Sequence, residues 1–272
     1  MGNSSKRKPA AKAKPQGVVI AGPNPGVVDG HFFASVSGLL IHDAANRQAI
    51  TRLGGAMWLE SSPRIYAARC DLVRTFLDET GNWPEPPQWL LFIDADMTFE
   101  PTVVDQMLDT IERHKDKDIK ILGGLCFAGG RGQGAYPTLV VVDDAANWDP
   151  SQPMSLGRAY DYPKDTLVKV NATGGAFLMI HRDVLEAMEK KFDTFQGHPN
   201  PYPWFREYEQ NGQQFGEDIF FGVAAGSIGY STWVDTAVKI GHRKTYTLDE
   251  QSYEANKEAL IQRAEGALDG NS

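Results

Sequence analysis

Five large apolar residues, Trp89-Leu90-Leu91-Phe92-Ile93, run without a break into Asp94-Ala95-Asp96. Successive side chains in a strand point to opposite faces. A strand of this composition therefore needs apolar cover on both sides, as a central strand of a parallel sheet has. Helices must then lie on both faces, and the flanking sequence supplies them. Ser61 or Ser62 can cap a helix with Pro63 in its first turn, and Ile65, Leu72, Val73, Phe76 and Leu77 share one face of it up to Gly81. After Pro101, the residues Val103, Val104, Met107, Leu108 and Ile111 recur at helical spacing. Further strands are expected from Val18 to Ala21, closed by the turn Gly22-Pro23-Asn24-Pro25-Gly26, from Ile119 to Leu125, from Tyr136 to Val142, and around Tyr230 to Val234. Leu167 to Ile180 reads as two strands broken at Gly174-Gly175. Asp183 opens a helix through Lys190, and Gly216-Glu217-Asp218 precedes another that carries Ile219, Phe220, Val223 and Ala224 on one side. Gln196 to Gln214 reads as loop. Strands alternating with helices, without internal repeats, define one α/β domain with a central, mostly parallel mixed sheet flanked by helices. That domain is expected over residues 17–249, after a tail at 1–16 and before a C-terminal helix and tail at 250–272.

Composition narrows the classes. Apolar residues at 42% and charged residues at 23% exclude collagen-like, coiled-coil and wholly disordered chains. No apolar run approaches the roughly 18 residues of a membrane-spanning helix, so no membrane partner is expected. Two cysteines, Cys70 and Cys126, build neither a disulfide framework nor a four-cysteine zinc site, and no secretory leader is evident, so a cytoplasmic location is expected. The first sixteen residues hold Lys6, Arg7, Lys8, Lys12 and Lys14 and no acid. In the remainder 22 basic residues face 35 acidic ones, a formal charge of −13. Such a body does not wrap nucleic acid over its main surface, although a basic arm can touch phosphates.

Asp94 and Asp96 are the most informative polar residues. In extended chain, side chains two apart project to the same side, so both carboxylates can converge at the carboxyl end of a central strand, where open α/β sheets bind ligands. Hard carboxylate oxygens suit Mg2+ or Mn2+. Equally, Asp96 or Thr98 could cap the helix that begins near Pro101. A calcium-binding EF-hand is disfavoured, since Phe99 stands where the loop needs glycine and Asp105 where it has a bidentate Glu. Glu217 and Asp218 sit at a helix start, where acids are favoured whatever the function. Asp218 also follows a loop with Pro203, Trp204 and Phe205, an arrangement suited to presenting a general base under a closing lid. His242 alone reads as an ordinary polar histidine. Gly174-Gly175 reads as a bulge or a close strand approach. The stretch GGRGQG leads into a strand instead of opening a helix, so it is no dinucleotide fingerprint, and no P-loop occurs.

Taken in order, Trp89 to Asp96, then Thr173-Gly174-Gly175-Ala-Phe-Leu-Met-Ile, Gly216-Glu217-Asp218-Ile-Phe-Phe, Val234-Asp235 and Gly241-His242 resemble a GT-A fold glycosyltransferase. The flavour is that of the family 2-like enzymes encoded by bacteriophages, in which a Pro-Trp-Phe loop like Pro203-Trp204-Phe205 also precedes the Glu-Asp pair. The resemblance spans about residues 18–242.

The resemblance implies a Rossmann-like GT-A domain and a nucleoside-diphosphate sugar donor, with a UDP-sugar expected first. It implies that Asp94 contacts the ribose or the metal, that Asp96 ligates Mn2+ or Mg2+ at the donor diphosphate, and that His242 completes the metal shell. Pro23, Arg64 and Arg69 would lie near the base and diphosphate. Gly174 and Gly175 would leave room for sugar and acceptor, Trp204 would meet the acceptor, and Asp218 beside Glu217 would be the catalytic base of an inverting transfer. Many relatives carry Asn after the arginine matching Arg69, where this chain has Cys70. The acceptor expected is hydroxymethylated phage DNA or a virion protein. Competing readings are a sugar-1-phosphate nucleotidyltransferase and a non-catalytic nucleotide-sugar-binding or virion protein.

Overall fold

The computed structural model describes residues 16–60, 64–130, 134–142, 156–195, 197–210, 213–243, 247–254, 256–258 and 260–262. The basic tail up to residue 15, the proposed cap at Ser61 to Pro63, and the middle of the GGRGQG stretch lie outside them.

Seven strands form the central sheet: β1 (Val18–Asn24), β2 (Gly55–Glu60), β3 (Trp89–Ile93), β4 (Ile121–Leu125), β5 (Leu167–Val170), β6 (Phe177–His181) and β7 (Thr232–Lys239). Their spatial order is β5-β7-β4-β6-β3-β1-β2. β1 pairs in parallel with β2 and β3, and β7 with β4. β6 runs antiparallel between β3 and β4, and β5 runs antiparallel on β7. The other five strands share one direction, which makes a mostly parallel mixed sheet with Rossmann-like character.

The two-faced apolar pattern of β3 has its consequence in the packing. Trp89, Leu91 and Ile93 join Val18 and Ile20 in a core under α1 (Gly30–Ala45) and α3 (Val103–Arg113). Leu90 and Phe92 join Val19 and Ala21 in a second core under α2 (Ile65–Thr80), α4 (Arg182–Lys191) and α5 (Glu217–Ser227). All five β3 residues are buried, and burying such side chains contributes about 1.5–3 kcal/mol each. Among the described residues no helix is long and apolar enough to cross a membrane.

α1 and β2 went unread in the sequence, and the segment Gln196 to Gln214, read as loop, contains short strands at His198–Pro199 and Tyr208–Gln210 and leads into Gln213–Phe215. α1 contains Gly38, Ser35 and Ser37, and it exposes Phe33 and Ile41 to solvent, so no clean apolar stripe marks it. Its start is set by Asp29, whose carboxylate accepts the His31 amide at 2.8 Å. The buried Asp43 near its end accepts the amides of Ala49, Ile50 and Thr51, which shapes the connection into β2. β1 also continues through Pro23 to Asn24 instead of stopping at Ala21. Its pairing with β3 ends at Ala21, so Pro23 sits where that side of the strand is open and its missing N–H disrupts no β3 ladder.

Candidate active site

The carboxyl end of β3, the turn before β6 and the start of α5 meet around one side chain, Arg69. It is fully buried on α2, one turn ahead of Leu72, Val73 and Phe76 on the same apolar face. Its Nη2 donates to both carboxylate oxygens of Asp94, at 2.9 and 3.0 Å, its Nε to Glu217 Oε1 at 3.2 Å, and its Nη1 to the carbonyl of Gly175 at 3.0 Å. The guanidinium also lies 5.2 Å above the Phe92 ring. A buried charge needs this degree of pairing. Arg69 was expected to lie near the nucleotide base and diphosphate; its hydrogen bonds go to Asp94, Glu217 and Gly175, which makes it a tie between these parts of the site.

The expectation that Asp94 and Asp96 converge rested on extended chain, and the chain there is not extended. Met97 N–H donates to the Asp94 carbonyl at 3.1 Å, closing a turn that sends the two side chains apart. Asp94 goes to Arg69. Asp96 goes to His242, whose Nε2 lies 3.1 Å from its Oδ2. That meeting, 146 residues apart in sequence, is made by a short antiparallel pairing of Met97–Thr98 with Gly241–Arg243, reinforced by the Arg243 amide on the Asp96 carbonyl. The expected trio is thus a pair. Among the described residues no group of three His, Cys, Asp or Glu side chains is placed to hold a metal ion.

The Asp96–His242 pair nevertheless has the chemistry of a cation site. His242 Nδ1 is 2.9 Å from the Phe127 carbonyl oxygen, which can only accept, so Nδ1 carries the proton and Nε2 is the atom turned to Asp96. A backbone carbonyl that fixes the second ring nitrogen is the usual support for a ligating histidine. A lone pair facing a carboxylate is stable only with a proton or a cation to bridge them. One carboxylate with few other protein ligands is also how Mg2+ and its relatives are held beside substrate phosphates.

Gly216 caps α5, and Glu217 and Asp218 occupy its first turn. The two acids have different surroundings. Glu217 faces Arg69, whose attraction opposes the effect of burial, and burial still leaves its carboxyl above the usual range. Asp218 Oδ1 accepts the Ile219 amide at 2.8 Å and makes no direct ion pair with Arg69. Burial raises its proton affinity more than these partners lower it.

The glycines have an internal explanation. A Cβ on Gly175 would lie 3.1 Å from the Arg69 guanidinium carbon, and one on Gly174 would lie 3.3 Å from the Thr138 side chain. The place a side chain would take at each is therefore occupied by this chain's own residues. Pro23 and the exposed Arg64, which begins α2, do sit at the carboxyl edge of the sheet. Trp204 does not meet solvent. It is fully buried, donates Nε1–H to the Leu185 carbonyl at 2.8 Å, and belongs to the core under α2, α4 and α5, so neither the acceptor role nor a swinging lid fits it. Cys70 explains part of this anchoring: its thiol contacts the Phe205 carbonyl at 3.2 Å, and burial pushes its pKa to about 11. Asp235, one of the residues that carry the resemblance, is a buried partner of Thr110 at 2.5 Å and of the Ala237 amide.

The sequence reading missed Arg69 as an organising residue. The available signal was an arginine in register with the apolar stripe Leu72, Val73, Phe76. The Phe127 carbonyl behind His242 had no signal, because backbone groups carry none.

No protein-family model and no curated protein matches the sequence. Among solved structures, the chain is similar to A197 from STIV, at a TM-score of 0.52 and 16% identity, over 87% of this chain and 92% of that one. That likeness shows a shared α/β fold. A second similarity, with a TM-score of 0.33 and 13% identity over 67% of this chain and 72% of the other, is to a glycosyltransferase involved in the glycosylation of the major capsid of PBCV-1.

Proposed function

We propose that this chain is a GT-A-type glycosyltransferase that moves a sugar from a nucleoside-diphosphate sugar, a UDP-sugar first among them, to an acceptor hydroxyl with inversion. The observation that carries the reading is the division between the two acids of α5. Arg69 faces Glu217 and Asp94, while Asp218, at the helix start, keeps a proton affinity raised by burial. A carboxylate so placed, with its proton affinity raised, is suited to general-base work.

In this reading the acceptor hydroxyl gives its proton to Asp218 as its oxygen bonds to the anomeric carbon. The bond from that carbon to the diphosphate oxygen breaks, and the nucleoside diphosphate leaves with the electron pair. Asp96 and His242 would hold a divalent cation, Mn2+ or Mg2+, whose Lewis acidity offsets charge on the departing diphosphate. Arg69 holds Asp94 and the Gly175 carbonyl in place, and so fixes the strand ends on which the donor would rest. Pro23 and Arg64 lie on the same edge and are the proposed neighbours of the nucleotide.

The metal assignment is tested by titrating Mn2+ and following its paramagnetic signal, without any substrate. Asp96→Asn and His242→Ala should each weaken binding at least tenfold, about 1.4 kcal/mol, with the fold intact by circular dichroism. Chelation should abolish donor turnover and Mn2+ should restore it. Full turnover by Asp96→Asn in chelator contradicts the assignment.

A further inference from the structure

Two hollows lie along the segment that leads into α5, the smaller one reaching its cap, Gly216. The larger, about 560 Å3, is lined by Tyr66, His198, Tyr202, Arg206, Tyr208 and Glu209. The smaller, about 270 Å3, is lined by Glu207, Tyr208, Glu209, Phe215 and Gly216. They share Glu207, Tyr208 and Glu209, so they lie next to each other along one groove-like stretch of surface. Gly216, at the end of the smaller hollow, stands two residues before Asp218, and a Cβ on it would be 2.7 Å from Asp218 Oδ1. In the lining of the larger hollow, Tyr66 stands one helical turn before Arg69.

The groove is built on fixed supports. Arg74 donates to the Pro201 carbonyl at 2.8 Å, Cys70 contacts the Phe205 carbonyl, and Phe205 stacks on Phe221 with ring centres 4.8 Å apart. Its lining combines aromatic pairs, Tyr66 against Tyr202 at 5.1 Å and Tyr208 against Phe215 at 6.0 Å, with the carboxylates of Glu207 and Glu209. Aromatic faces accommodate the C–H faces of pyranose rings, and carboxylates accept hydrogen bonds from their hydroxyls. A polyanion would need several Lys and Arg side chains for its phosphates. Here two acids accompany one arginine, on a body of formal charge −13.

We infer that this groove is the acceptor subsite and that the acceptor is a neutral oligosaccharide, free or carried on protein, whose terminal hydroxyl reaches Asp218. The inference rests on the transferase reading above. It is tested by titrating the full chain with neutral glucose-, galactose- and mannose-based tri- to pentasaccharides, and with single- and double-stranded DNA oligonucleotides, followed by protein NMR and calorimetry. At least one saccharide should bind and shift signals of Tyr208 and Glu209. Tyr208→Ala should weaken that binding at least tenfold, Tyr208→Phe should retain most of it, and Glu209→Gln, a change at an exposed position, should weaken it severalfold. Binding of no saccharide, binding that both substitutions leave unchanged, or sugar transfer to DNA alone overturns the inference. Hydrolysis of donors by the unsubstituted chain is measured alongside. Donor hydrolysis without saccharide binding removes only the acceptor assignment, whereas no turnover of any donor removes the transferase reading beneath it.

Discussion

Asp218→Asn is expected to keep donor affinity and to lose transfer by about 10²–10⁴-fold, the range for a missing general base. The amide keeps an oxygen for the Ile219 N–H, so the first turn of α5 is preserved while the proton acceptor is gone. Steady-state kinetics beside nucleotide-binding measurements separate the two effects, and unchanged transfer would reduce the acid pair to a helix-start feature. The pH profile of the parent adds a sign. Burial raises Asp218 above its ordinary 3.8, so the acid limb of kcat/KM should lie above that value. The same shift acts on stability in the opposite sense. A carboxyl with a raised folded pKa holds its proton more readily when folded, so stability falls as pH climbs from the unfolded to the folded pKa. Asn cannot ionise, and Asp218→Asn should therefore be at least as stable as the parent at pH 7.

Arg69→Met should lower folding stability by about 3–5 kcal/mol, the range for breaking a buried ion pair from one side. Methionine fills much of the volume, but Asp94 and Glu217 lose their shared counter-charge and Gly175 loses a donor to its carbonyl. Without the guanidinium, the Glu217 carboxyl rises further above the usual range. The penalty must then grow as pH rises past the unfolded carboxylate pKa and shrink in acid. Urea unfolding at pH 5 and pH 8 checks this, with the larger loss at pH 8. Adding Glu217→Gln to Arg69→Met should recover part of the stability, since it removes one stranded charge. A loss below 1 kcal/mol, or one independent of pH, would mean that Arg69 is not the tie described.

The apolar pentad at residues 89–93 was enough to specify a sheet covered on both faces, because strand periodicity is local and leaves no other home for five large side chains. α3 was legible for the same reason, its apolar residues falling on one side. α1 was not, since Phe33 and Ile41 face solvent and blur the stripe. Asp94, Asp96, Glu217, Asp218 and His242 were all named from sequence, and the structure brings them to the same end of the sheet. Asp96 and His242 were expected to meet and do, but Asp94 was expected with them and instead meets Arg69. The local Asp94–Met97 turn, which the extended reading of this stretch overlooked, separates the two aspartates, and the strand pairing at His242 comes from tertiary placement. Trp204 shows the opposite failure. Next to Pro203 and ahead of the Glu-Asp pair it was read as meeting the acceptor, yet its indole is seated in the core against the Leu185 carbonyl.

Incubating the full chain with Mn2+ and a panel of nucleoside-diphosphate sugars, and reading nucleoside diphosphate release together with the anomeric configuration of the freed or transferred sugar by NMR, tests the central claim most directly. The expected results are turnover of at least one donor, inverted configuration, and loss of transfer in Asp218→Asn. Pyrophosphate release from a nucleoside triphosphate and a sugar 1-phosphate, or binding of nucleotide sugars with no turnover, would contradict it.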